Sequence, residues 1–419
     1  MQWLKEIPSH WEVCLLGSFA KLKTGGTPSF YLKEVEEDSV DWFTPSDFTD
    51  SFDLKEASRK LNKRNFEEAG IAYFPPNSIL IIGIGGTAGK VSYNSIPCYS
   101  NQQITAIIPY RDINCVFCTM YIRSLREFLL KTAPYTTLPI LNNTFLSSIK
   151  VVLPPLAEQE KIVSYLEEKT SKIDAYVADK EKEIELLQEL KQKTIADVVT
   201  KGLNPDAKMK DSGISWIGEI PEHWVQYRFA TLFKEKSICN HVNEELLSVY
   251  LDRGVIRFSE DNNKRTNPTS KDLSKYQLVD IGDFVLNNQQ AWRGSVGVSR
   301  YRGIISPAYF IFEMSSKLNP LYANYLLRST SCVAYYYICS KGIGSIQRNL
   351  DWSSLKQKKL AIPPLNEQQA IVAYIEEKCE KIDKLASELQ SEIDYLKEYK
   401  QRLIADCVTG QVNVQNEMI

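Results

Sequence analysis

The sequence predicts an α+β chain. Two α/β bodies stand in tandem, separated by two long matched helices that form an antiparallel coiled coil about a pseudo-twofold axis. Three observations carry this. Residues 154–200 return as residues 363–409, and the two stretches agree without a gap at about half their positions. Each opens on Pro-Pro-Leu and then runs with no further Pro, and with no Gly before Gly202 or Gly410. A short opener also returns: Trp3-Leu4-Lys5-Glu6-Ile7-Pro8-Ser9-His10-Trp11 becomes Trp216-Ile217-Gly218-Glu219-Ile220-Pro221-Glu222-His223-Trp224. Opener, body and helix therefore occur twice, as in a tandem duplication with diverged bodies.

The boundaries this implies are 1–152 for the first body, 153–201 for the central helix and 202–213 for a polar connector. The second body takes 214–361, the C-terminal helix 362–410 and a short polar tail 411–419, expected to fray. Each helix starts at a Pro-Pro pair, whose missing N–H groups cost nothing there. Glu158 and Glu367 lie in the first turns, the favourable end of the helix dipole. Apolar residues recur in heptads. In the central helix Val163, Val177, Ile184 and Val198 share a seam with Leu166, Ile173 and Leu187. In the C-terminal helix the seam is Val372, Cys379, Ala386 and Ile393 with Ile375, Ile382, Leu389, Leu396 and Leu403. Each helix would be roughly 65–70 Å long. The natural partner of each is the other copy.

In the first body, Ile79-Leu80-Ile81-Ile82 reads as a buried strand. The Gly-rich loop Gly83–Lys90 follows, then a strand from Val91 and another over Ile104–Ile108. An amphipathic helix is expected over Phe117–Leu130, and a last strand over Ile149–Leu153. The second body repeats the plan. It has a strand at Asp283–Leu286, the loop Asn287–Gly297, a strand at Ala308–Phe312, a helix over Leu321–Tyr337 and the Gly-rich stretch Lys341–Asn349.

Composition narrows the function classes. Hydrophobic content of 43% is ordinary for a globular protein, and no run of apolar residues is long enough to span a membrane. The N-terminus lacks the regions of a signal peptide, so a cytoplasmic location is expected, with the nine Cys as reduced thiols. Cys115 and Cys118 form one C-x2-C with no second pair at the usual distance, and no metal site is expected. Net charge is −2 but uneven: residues 214–361 carry +6, while the two helical stretches are acidic. A basic body suggests a nucleic-acid face.

Enzyme motifs fail. Gly83–Lys90 has Ile84 where a phosphate-binding loop needs its first Gly, and Val91 where it needs Ser or Thr. A strand, not a helix, is expected after the glycines, which argues against a dinucleotide fold. None of the three Pro-Pro pairs has the flanking residues of an adenine methyltransferase tetrapeptide. No catalytic residue is assigned. His10 and His223, at matched positions between Pro and Trp, read as structural.

The helix entries Leu153-Pro-Pro-Leu-Ala-Glu-Gln and Ile362-Pro-Pro-Leu-Asn-Glu-Gln, the paired openers and the tandem layout carry a resemblance over essentially the whole chain. It resembles a specificity subunit of a type I restriction–modification enzyme, a system of host defence against phage. The resemblance implies that each body is a target recognition domain reading one half of a bipartite, asymmetric DNA site. It implies that the helices set the gap between the halves and dock two methyltransferase subunits, and that restriction and translocase subunits join them. It also implies that the chain has no catalytic site and no cofactor of its own, with S-adenosylmethionine, ATP and Mg on the partners. Alternatives are a self-sufficient adenine methyltransferase and a coiled-coil scaffold that binds proteins.

Bases are read through their edges, Asn and Gln suiting adenine and Arg guanine. In the first body the candidates for DNA contact are Thr87, Lys90, Asn101, Gln102, Gln103, Tyr135 and Thr136. In the second they are Asn288, Gln289, Gln290, Trp292 and Arg293, then Lys341, Ser345, Gln347 and Arg348. Glu158, Gln159, Glu367 and Gln368, in the acidic helix entries, are the candidates for partner binding.

Overall fold

The structure, a computed structural model, describes residues 7–29, 38–49, 51–134, 139–214, 217–251, 253–260, 272–343 and 347–414. The chain forms two compact units, Met1–Glu181 with Ser391–Ile419 and Lys182–Gln390. The central helix spans Leu156–Lys201 and the C-terminal helix Leu365–Val408. Each unit thus holds one body and a half of each helix. No helix among the described residues is long and apolar enough to cross a membrane.

In the first unit a five-stranded sheet runs in the order Ala20–Thr24, Ile104–Pro109, Ile79–Ile82, Val91–Asn94, Asp53–Leu54. All of its neighbours are antiparallel except the last pair. Ile79, Leu80, Ile81 and Ile82 are fully buried, as a continuous apolar run demands of a strand covered on both faces. The second unit repeats the first four positions, with Phe233–Lys236, Tyr309–Met314, Phe284–Asn287 and Val296–Val298 all antiparallel. In both, the loop of interest joins two neighbouring antiparallel strands, as the sequence led one to expect.

Two single helices of the sequence reading are pairs. Cys115–Ser124 gives way to Arg126–Thr132 at Leu125, whose N–H turns back to Ile122 O at 3.2 Å. Pro320–Arg328 gives way to Thr330–Ile338 at Ser329, which is extended (ψ 154°) and caps the second helix at Cys332 N. A Ser ahead of a helix offers the backbone this alternative bond, and hydropathy does not register it. The connector is not wholly irregular, since Met209–Asp211 pairs with Glu219–Pro221. The tail does not fray at its start either: Val412 and Val414 pack into the first core, with Val414 4% exposed.

The body and the helix entry meet at one joint, built twice. In the first unit Glu158 accepts from Trp11 Nε1 at 3.2 Å and lies 2.8 Å from His10 Nε2. Gln159 Nε2 donates to Pro154 O, and its Oε1 accepts the N–H of Asn114. Asn114 is itself the N-cap of the first body helix. In the second unit Glu367 takes Trp224 at 3.1 Å and His223 at 2.8 Å. Gln368 bonds Lys317 O, Pro363 O and the N–H of Asn319, the N-cap of the equivalent helix. Each long helix also ends on this joint. Gly202 (φ +77°) packs so closely that a Cβ would lie 2.9 Å from Glu367 Oε1, and one at Gly410 (φ +75°) would lie 2.6 Å from Pro8 Cδ. Residues 3–6 and Trp216 of the openers lie outside the described residues.

This corrects one assignment. Gln159 and Gln368 are 3% and 0% exposed, and the carboxylates of Glu158 and Glu367 are engaged by their own openers. The four residues hold the body to the helix; the two glutamines are buried away from any partner, and the two half-buried glutamates are bonded to their own openers. Acidity at the entry was read as outward-facing charge, but a carboxylate next to a Trp N–H and an imidazole satisfies itself within the chain.

Within each unit the two helices pack antiparallel. Lys400 pairs with Asp174 at 2.6 Å and Lys397 with Glu181 at 3.0 Å in the first unit. Lys191 pairs with Asp383 at 2.6 Å in the second, and these are the same two repeat positions as Lys400 and Asp174. Seam residues Val163, Leu166, Val177, Val372, Ile375, Leu389 and Ile393 are buried. Toward the end of the central helix Val199, at 0% exposure, replaces Val198 as the buried residue.

The second unit also holds an ionic cluster. Lys236 donates to Asp280 at 2.5 Å and Asp283 at 2.7 Å, and Arg302 pairs with Asp280 and, at 2.9 Å, with Glu244. Burial works against the Lys236 ammonium, but its bonds to the two carboxylates outweigh this and hold its pKa above the ordinary value. The same bond from Lys236 holds the Asp280 carboxyl below its usual range.

Two expectations follow from these contacts. Gln368→Ala strips partners from a buried N–H and two carbonyls and should destabilise the second unit by about 1–3 kcal/mol. An unchanged midpoint in urea unfolding would contradict the joint. A depressed carboxyl gives stability that is present above its unfolded value and lost as pH falls through the folded one. Asp280→Asn should therefore flatten the decline in stability below about pH 4. Unfolding midpoints measured across that range would coincide for variant and wild type if the cluster contributed nothing.

Candidate nucleic-acid interface

In the second unit the structure brings the two candidate stretches of the basic body together. The loop after strand Phe284–Asn287 carries Asn288 to Arg293, and the Gly-rich stretch is a hairpin of Ser340–Ile343 and Gln347–Leu350. Asn288 joins them, its Oδ1 accepting Leu350 N–H at 2.9 Å. This uses Asn288 as a brace between the loop and the hairpin. Gln289 is exposed, and its carbonyl accepts Trp292 Nε1 at 3.1 Å. Gln290 is half-buried, and its carbonyl accepts Arg293 N–H.

A row of two aromatic side chains flanked by two arginines lies across this surface. The Arg293 guanidinium is over Trp292 at 5.8 Å, and Trp292 meets Tyr337 at 6.3 Å. The Arg348 guanidinium stacks on Tyr337 at 4.4 Å. Arg348 is also tied down by two bonds to Ser340, from Nε to Oγ at 2.9 Å and from Nη2 to O at 2.8 Å. Lys341 is exposed beside it. Ser345 lies outside the described residues, and Gln347 belongs to the second hairpin strand. Tyr337 was missed in sequence. It is 50% exposed while Tyr335 and Tyr336 are 2% and 0%. The helical period of the buried Cys332, Tyr335, Tyr336 and Cys339 was the available signal.

The first unit assembles its candidates differently. Gly85 (φ +103°) and Gly89 (φ +78°) shape the loop, and a Cβ on Gly89 would lie 2.9 Å from Arg126 Cγ. Gly83 N–H donates to Gln103 O and Leu141 N–H to Gly83 O, so the loop, the 101–103 turn and the segment at Leu141 form one surface. Gln102 is exposed, its Oε1 accepting from Thr27 Oγ1 at 2.7 Å, and Thr87 and Gln103 are half-buried nearby in the fold. Two candidates have partners within the chain. Asn101 is 9% exposed and spends its amide on Gln103. Lys90 turns to the carbonyl of Phe48 at 3.4 Å. Tyr135 and Thr136 lie outside the described residues.

The surfaces also differ in charge. Among the cations of the second body, Lys236, Arg257 and Arg302 are committed to carboxylates. Arg293 and Lys341 have no ion pair among the described residues. Cys115 and Cys118 sit in the first turn of their helix, and burial pushes both thiols up, away from the thiolate that binds metals.

Comparison with known proteins gives this architecture its relatives. A family model for the type I restriction modification DNA specificity domain matches residues 8–186 and 231–395. The type I restriction enzyme MjaVIII specificity subunit of Methanocaldococcus jannaschii is 25% identical, over 98% of this chain and 95% of that protein. The EcoBI specificity subunit of Escherichia coli is 21% identical over 80% of this chain and 74% of its own. Among solved structures, a chain from a study of complex assembly and conformational transition of the type I R-M system has a TM-score of 0.66, at 14% identity, over 97% of this chain and 100% of that one. The HsdS subunit from Thermoanaerobacter tengcongensis has a TM-score of 0.54, also at 14% identity, over 97% and 99%. At that identity the structures bear on fold alone. The family match takes in both bodies and most of both helices, and the chain belongs to the type I restriction modification DNA specificity domain family.

Proposed function

We propose that this chain is the DNA specificity subunit of a type I restriction–modification complex acting in the cytoplasm. Each body recognises one half of a bipartite, asymmetric site on double-stranded DNA. The chain supplies recognition, and two methyltransferase subunits carry S-adenosylmethionine and modify adenine. Restriction and translocase subunits, with ATP and Mg, join through them. The observation that carries this reading is a duplication with unequal divergence. The four side-chain bonds of the first joint recur in the second, where Gln368 adds one to Lys317 O, while the loop surfaces offer largely different side chains. Repeated scaffolding with unlike surfaces suits two readers with different targets.

The long helices suit protein partners. They are acidic, which disfavours phosphate, yet Leu186 and Leu190 on the central helix are about half exposed and Tyr395 on the C-terminal helix is 68% exposed. These replace the buried helix-entry residues as the contacts expected to face the methyltransferase.

Exchanging the first body for that of another family member should change one half of the modified site and leave the other half intact. Mapping methylated adenines in the host genome reads this directly, and a change in both halves would refute separate readers. Methyl transfer to DNA by the isolated chain would instead favour a self-sufficient enzyme. Lys341→Ala should weaken binding evenly across sequences and lower the slope of log K against log salt by about one. An unaltered slope would remove Lys341 from the phosphate contacts.

A further inference from the structure

Of the two arginines on the second reading surface, Arg293 and Arg348, one is left with its donors unused. Arg348 has spent its guanidinium edge on Ser340 and its face on Tyr337. Arg293 is exposed and makes no side-chain hydrogen bond or ion pair among the described residues, its guanidinium lying 5.8 Å from the Trp292 ring. Its backbone is nonetheless fixed. Arg293 N–H bonds Gln290 O, Ala291 is fully buried, and the turn closes at Gly294 (φ +99°), where a Cβ would lie 3.5 Å from Val333 Cγ2. Trp292, the platform, is held by its own bond to Gln289 O and by Tyr337. A planar donor fork on a rigid turn, with no partner in its own chain, matches the O6 and N7 acceptors of guanine in the major groove.

We infer that Arg293 reads a guanine in the half-site recognised by the second body, with Trp292 and Tyr337 positioning it and Arg348 bracing the hairpin behind. The loop Gly83–Lys90 of the first body has no arginine of its own; Arg126 reaches it from the following helix and donates through Nε to Ala88 O at 3.3 Å. The loop itself presents Thr87, with Gln102 and Gln103 on the neighbouring turn, so no counterpart of Arg293 is built into it.

This inference rests on the specificity-subunit reading, and the experiment separates the two. The full chain is expressed with its methyltransferase subunits as wild type, R293A and R293Q, and modified adenines are mapped genome-wide. The expected result is that R293A loses discrimination at a single guanine of one half-site, by about ten- to hundredfold, with the other half-site unchanged. R293Q should shift that position toward adenine. If R293A abolishes modification, binding of its complex is measured on duplexes carrying each of the four bases at each guanine of that half-site. Loss of the preference for guanine at one position alone supports the assignment. An equal fall in affinity on all duplexes, with a reduced salt slope, makes Arg293 a phosphate contact and overturns it. An unchanged site in R293A overturns it as well. A wild-type complex with no bipartite site would bring down the functional reading itself, and this inference with it.

Discussion

The structure depends on the carboxylate at each helix entry. Glu158 and Glu367 each take an indole N–H and an imidazole from the opener of their own body, while the next residue, a buried Gln, clamps the first helix of that body. A body cannot be attached to a long helix by hydrophobic contact alone and keep a fixed orientation, because apolar packing is non-directional. Bonds to a carboxylate and the bonds of a buried Gln are directional and costly to break. They turn a flexible join into a rigid one, and rigidity is what a reading surface needs from its support.

The same logic accounts for the pattern of divergence. Bonds at the joint involve two or three partners from distant parts of the chain, so a change at one residue strands the others. Pro-Pro-Leu-x-Glu-Gln and Pro-x-His-Trp are therefore kept in both copies. Loop residues such as Gln289 and Arg293 have few partners of their own, and replacing them leaves the fold standing. The two bodies share strand order and loop position, yet present amides and a threonine on one surface and a basic, aromatic row on the other.

Much of the architecture was legible in sequence, for a physical reason. Repetition, heptad spacing and continuous apolar runs are local records of burial, and they gave the two long helices, the strands around each loop and the duplication. The helix breaks at Leu125 and Ser329 were not legible: at Ser329 a cap competes with the helix through one side-chain bond, and at Leu125 the backbone N–H turns back to Ile122 O, and hydropathy records neither. The helix-entry residues were misassigned for a related reason. Glu and Gln at the start of an exposed acidic helix look solvent-facing until the opener, roughly 145 residues away, is folded onto them.

The candidate surface divides in the same way. Sequence alone determined that polar and basic residues gather on the loops after Ile79–Ile82 and Phe284–Asn287 and on the hairpin from Ser340, and that the second body is the basic one. Only the tertiary structure decided which of those residues are free. Asn288 is spent on Leu350, Asn101 on Gln103, Lys90 on Phe48 and Arg348 on Ser340, while Arg293 keeps its donors. A residue's type fixes what it can bond to, but the partner that satisfies it is brought by the fold, often from far along the chain.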